Sequence, residues 1–166
     1  MNFSSRTAQL LHEDHQATIQ VVEALEQVIA RAKRLAPDVQ DSAVHRALDL
    51  AANAIEHEIK THFTFEETEL FTRLEEAGDV GIGQHLRSEH EAILPLGLRV
   101  AALAKSALAE GFSDANWPEF KSTSAELIER MYSHIQKEEM ALLPMLDDLL
   151  DAETDMELAE SYSNTL

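Results

Sequence analysis

A chain of 166 residues is long enough for one domain with a sizeable core, and 45% hydrophobic residues make it globular rather than disordered. Its 31 acidic against 13 basic residues leave a formal charge of -18, which repels phosphate backbones and anionic lipid and argues against nucleic-acid and membrane-surface partners. Cysteine is absent, so disulfides, thiolate catalysis and iron–sulfur clusters are excluded, and any metal must be held by His and carboxylate. The start "MNFSSRTAQLLHEDHQ" has no basic-then-apolar leader, and no apolar run approaches the roughly 20 residues of a membrane span. The expectation is a soluble cytoplasmic protein.

Apolar residues recur at helical spacing through most of the chain. Leu11, Thr18, Ile19, Val22, Leu25 and Ile29 form one stripe of a first helix, with Thr7 as its cap and "LAPD" at 35 to 38 as its end. A second helix is expected from about Asp41 to "EEAGDVGIG", and a third from about Ile82 to "AEGF", with Gly111 just past its end. The fourth begins around "SDANWPEF", capped by Asn116 or Asp114 with Pro118 in its first turn, and runs to about Leu150. Few Gly and Pro and no strand pattern predict an all-α, up-down-up-down four-helix bundle over 1–152. Residues 153–166 form an acidic tail that either adds a short helix or frays.

The two halves resemble each other. "LLHEDHQATIQVVEAL" pairs with "HLRSEHEAILPLGLRV", setting His15 against His90, each preceded by an acid. "THFTFEETELF" pairs with "SHIQKEEMALL", setting His62 against His134 and Glu66 against Glu138. Residues four apart on a helix share a face, with Cβ atoms about 5–6 Å apart. A His and a Glu so placed can meet at one point, the imidazole on one metal and the carboxylate reaching its neighbour. Two such helices, with a lone His from each of the other two, make a binuclear site with metals about 3.5–4 Å apart.

Helical phase, at about 100° per residue, turns His15, His62, Glu66, His90, His134 and Glu138 towards the bundle core. A single core-facing His is more often a hydrogen-bonded core residue, but two copies in the same order are hard to obtain by chance. His57 and His85 lie off the ligand face, and His45 lies far from the common layer. His12 is a reserve ligand or an outer partner. Glu67 and Glu139, one residue past the proposed bridges, face solvent or outer partners. Imidazole and carboxylate suit iron, manganese, zinc or nickel, and bridging carboxylates in a bundle favour iron.

The order and spacing of "EDH", "HFTFEE", "SEH" and "HIQKEEMALLP" resemble the haemerythrin-like (HHE cation-binding) domain family over about residues 8 to 150. The resemblance implies a four-helix bundle with a non-haem di-iron centre, two Fe ions with an oxo or hydroxo bridge, held by the six residues above. Oxygen-carrying members have a further His one turn before the third-helix ligand, where this chain has Leu86. Four His and two Glu is similar to the set in the repair-of-iron-centres proteins, which are linked to nitric oxide and oxidative stress. The small ligands implied are O2, NO or peroxide. No residue set suggests a nucleophile or an organic-substrate pocket. Leu86, Phe63 and Leu94 are expected to form a bland core around the site.

Overall fold

The computed structural model describes residues 2–166. Helix α1, Arg6–Ala32, opens where the Ser5 hydroxyl accepts from the Ala8 N–H, satisfying one of the free amides of the first turn. Thr7, expected as the cap, instead lies inside the helix and donates its hydroxyl to the Asp155 carbonyl. Helix α2 spans 42–76 and is capped by Asp41, which accepts from Ala43 and Val44. Helix α3, Val80–Glu110, runs unbroken through Pro95 and stops at Gly111, whose φ of 78° is left-handed. Helix α4 spans 116–149. Asn116 stands in its first turn rather than before it, exchanging hydrogen bonds with Ser113 at 2.6 and 3.1 Å.

Two of these helices are not uniformly α. Helix α2 widens into π turns at Glu58–His62 and Glu66–Leu70, and α4 does so at Glu138–Leu142. Each π turn begins at a buried Glu. Single π turns inside α-helices occur frequently at functional sites.

Helices α1 to α4 pack in cyclic order, each against the next and α4 against α1, as the all-α, up-down-up-down bundle requires. The acidic ending folds into a fifth helix, α5, Ala152–Ser163, which lies against α1. Asp155 fastens it there, accepting from the Ser5 hydroxyl at 2.6 Å and from the Arg6 and Thr7 N–H groups at 2.7 and 3.0 Å. By length and composition α3 would pass for a membrane span. Its inner face, including Ile93, Val100 and Ala104, is buried among the other helices, and Arg99 and Lys105 form ion pairs on its outer face.

The core divides into two apolar clusters. One gathers Val22, Leu25, Leu48, Ile59, Phe63, Leu127 and Ile135; the other gathers Leu11, Leu70, Phe71, Leu74, Leu86, Leu142 and Tyr162. Buried His and Glu side chains belong to neither cluster and come from all four bundle helices.

Candidate metal centre

His15 comes from α1, His62 and Glu66 from α2, His90 from α3, and His134 and Glu138 from α4. All six are at most 2% exposed, and the structure brings all six together. They form two groups of four, His15–His62–Glu66–Glu138 and Glu66–His90–His134–Glu138, which share both carboxylates. Glu66 sets one oxygen 2.9 Å from His62 Nε2 and the other 3.3 Å from His90 Nε2. Glu138 does the same between His134 Nε2 at 2.8 Å and His15 Nε2 at 3.0 Å. Each carboxylate therefore spans the two histidine pairs.

The outer edges of the imidazoles carry a second set of acids. His15 Nδ1 meets Glu139 at 2.6 Å, His62 Nδ1 meets Asp14 at 3.2 Å, His90 Nδ1 meets Glu67 at 2.8 Å and His134 Nδ1 meets Glu89 at 2.9 Å. A carboxylate only accepts, so each Nδ1 carries a proton, and a neutral ring then turns a bare Nε2 lone pair inward. The acids form a closed circuit. Asp14 of α1 holds the α2 His, Glu67 of α2 the α3 His, Glu89 of α3 the α4 His, and Glu139 of α4 the α1 His. Phe63 stacks on the His90 ring at 3.8 Å and 3°, fixing its plane.

These side chains fit a metal pair on their own geometry. His15 Nε2, His62 Nε2 and all four oxygens of Glu66 and Glu138 are buried without a hydrogen-bond partner. His90 Nε2 and His134 Nε2 face each other at 3.0 Å. With both Nδ1 atoms protonated, two neutral rings present facing lone pairs that repel at that distance, whereas a proton or a metal cation between them is attracted to both. Unpaired buried carboxylates are costly, and cations are the partner this donor set selects. In the metal-free chain, burial works to lower the imidazole pKa values, but the facing carboxylates outweigh it. His15 and His90 rise to about 9 and His134 to about 10. Burial likewise opposes ionisation of Glu138, yet His134, His15 and His90 hold it well below the usual range.

His12 is an outer partner rather than an inward group, with Nδ1 at 2.8 Å from Glu139. His57 and His85 are exposed, as their helical phase requires, and so is His45. Leu86 is buried one turn before His90, but Leu94 is 42% exposed and takes no part in the core.

Sequence reasoning passed over two further residues. Glu58, 4% exposed, places Oε1 3.8 Å from His62 Nε2. Tyr162 of α5, 1% exposed, donates its hydroxyl to Asp14 and packs edge-on to His62 with centroids 6.3 Å apart. The one-turn interval between Glu58 and His62 was a signal for the first. Only the Leu158–Ala159–Tyr162 spacing in an acidic tail hinted at the second.

The sequence model of the hemerythrin HHE cation binding domain matches residues 6–146, most of the chain and all six inward residues. Among curated proteins none matches the chain significantly. Tyr162 and the rest of α5 lie outside the matched span. The chain therefore belongs to the hemerythrin HHE cation-binding domain family, and its buried His/Glu cluster makes it a metal-binding protein.

Proposed function

We propose that the protein is a non-haem di-iron protein that binds or reacts with small diatomic molecules, NO or O2, in nitrosative or oxidative stress or in iron handling. The observation that carries this reading is the pair of four-residue groups sharing Glu66 and Glu138, in which the inward atoms of His15, His62, Glu66 and Glu138 make no hydrogen bond. His15 and His62 would hold one iron, His90 and His134 the other, and the two carboxylates would bridge them. Nitrogen and oxygen donors without sulfur, in a helix bundle with shared carboxylates, favour iron over softer metals.

A bound iron pair would supply electrons and an open coordination position for a diatomic ligand. The protein's own part is to orient, enclose and exclude. Asp14, Glu67, Glu89 and Glu139 fix the imidazole planes, so the donors are aimed before a metal arrives. Phe63 and Phe71 pack against the His90 ring and Leu86 is buried one turn before it, apolar surroundings that suit a small uncharged ligand better than a bulky polar substrate. Leu86 stands where an oxygen carrier would place another imidazole, which favours transient reaction over stable carriage.

Anaerobic loading with Fe(II) should give about two irons per chain, the stoichiometry of a two-metal site. NO should then produce a distinct optical spectrum, and stopped-flow mixing with O2 should give a spectrum that decays quickly to that of the oxidised pair. Leu86→His should lengthen that lifetime. One iron per chain, or zinc alone after iron-replete expression, would sink the di-iron reading. An O2-induced spectrum lasting many minutes would make reversible carriage the better answer.

A further inference from the structure

Glu58 is the one buried acid among the described residues that neither spans the histidine pairs nor belongs to the outer circuit. We infer that Glu58 is a third carboxylate ligand, bound terminally to the metal held by His15 and His62, so that the two metal positions are chemically unequal. This inference rests on the two-metal reading above.

Three observations support it. The first is local. The chain's π turns among the described residues begin at Glu58, Glu66 and Glu138, and the latter two are the shared carboxylates. Glu58 is set on its helix by the same device. The second is distance. Its Oε1 lies 3.8 Å from His62 Nε2, less than twice a metal–ligand bond of about 2.0–2.2 Å, so one cation can touch both atoms. The third is the lack of any other partner. Among the described residues no hydrogen bond reaches the Glu58 carboxylate; burial pushes its pKa up, Glu66 and Asp14 add to that, and only His62 and His15 oppose it. Asp14 shares its corner, with ligand atoms of Asp14, Glu58 and His62 all within 4.8 Å of one another, and on the other side lies a mainly apolar cavity of about 20 Å³ lined by Val21, Val22, Ile55, Ile59, Ile93 and Leu127. An isolated carboxylate is costly there, and a cation beside His62 removes the cost.

Among the described residues the other half of the site has no equivalent. Four residues before His134 stands Arg130, which is exposed, and α4 remains α-helical through Lys137. Glu58 thus fills a coordination position at the His15/His62 metal, while Leu86 withholds one from the His90/His134 metal. Added ligands are directed to the latter. The oxygen-richer position suits the harder, more oxidised ion.

The test is an anaerobic titration of metal-free protein with ⁵⁷Fe(II), followed by Mössbauer spectroscopy, for wild type, Glu58→Gln and Glu58→Leu. Wild type should bind two irons in two distinguishable environments of equal weight. Each variant should keep its helical content and alter one environment only. It should weaken one of the two binding steps by more than about tenfold, the smallest loss typical of removing even an outer partner of a metal ligand. Wild type with two irons in one environment, or variants matching it in both steps and spectrum, would overturn the role of Glu58 and leave the two-metal site standing. Failure of wild type to take up two irons would instead refute the two-metal reading. A variant that loses its helical fold before metal is added would make Glu58 a structural residue and also overturn the inference.

Discussion

Glu66 and Glu67 are neighbours in the chain yet face different things: Glu66 is sealed between four imidazoles, and Glu67 grips His90 from the outer side. The same contrast separates Glu138 from Glu139. Glu66→Ala or Glu138→Ala should abolish stable binding of the metal pair, because each removes a donor from both metals. Glu67→Ala or Glu139→Ala should still bind two metals but with affinity lowered about 10–100-fold, since the imidazole keeps its place and loses its orientation. Competition with a chelator would rank the four variants, and equal loss in all four would reassign the shared carboxylates.

Protons stand in for the metals in the metal-free chain. His15 and His90 at about 9 and His134 at about 10 all lie above the ordinary imidazole value, so folding gains from their protonation. That gain is complete below about pH 6.5 and is lost as pH rises through 9 to 10. Metal-free protein should accordingly resist urea better at pH 7 than at pH 10. Metal-loaded protein should show little of this alkaline loss, because its imidazoles have already given up their Nε2 protons. Loading at pH 7 should release protons, measurable as a dependence of the binding enthalpy on buffer. Equal urea midpoints for the metal-free chain at pH 7 and pH 10 would refute this account.

At the level of the helices, α5 does two jobs from opposite ends. Its Asp155 gathers the free amides at the start of α1, and its Tyr162 completes the hydrogen bonding of Asp14. The Asp14–His62 contact, 3.2 Å, is the longest of the four outer ones, so this corner has most to gain from a third member. Tyr162→Phe keeps the ring against Phe65 and should cost about 0.5–1.5 kcal/mol, the usual net value of one hydrogen bond. Ending the chain after Leu150 should cost more, because the α1 cap and the burial of Leu158 and Tyr162 go together. Thermal denaturation of the two variants would check the order. Helix α3 contributes by omission: a methyl on Gly97 would collide with Ile59, so this glycine lets α2 and α3 approach closely beside the site.

Across the whole molecule, the parts readable from sequence were those encoded by spacing within one helix. His62–Glu66 and His134–Glu138 are one turn apart, and the apolar stripes set their phase, so the inward cluster and the four-helix bundle were legible. Glu58–His62 has the same interval but looks no different from Glu56–Lys60, which is an ion pair on the outer surface. Only the π turn and the packing around it distinguish the two. Tyr162 was illegible for another reason. Its partner Asp14 is 148 residues away, and their meeting depends on how α5 folds back, which no local pattern records. The outer acids were visible as neighbours of ligands, but the helix each one reaches across to follows from bundle geometry alone.

The closed circuit of outer acids has a consequence for symmetry. Exchanging α1 with α3 and α2 with α4 maps Asp14–His62 onto Glu89–His134, and Glu67–His90 onto Glu139–His15. Two copies of a single helical hairpin, related by a two-fold axis, would close the same loop around the same pair of sites. The chain is thus laid out like a homodimer written in tandem. In a true dimer every substitution appears twice, so neither metal can acquire a feature the other lacks. Once the halves share one chain that restriction lifts, and Glu58 and Tyr162 each stand beside His62 with, among the described residues, no counterpart at His134.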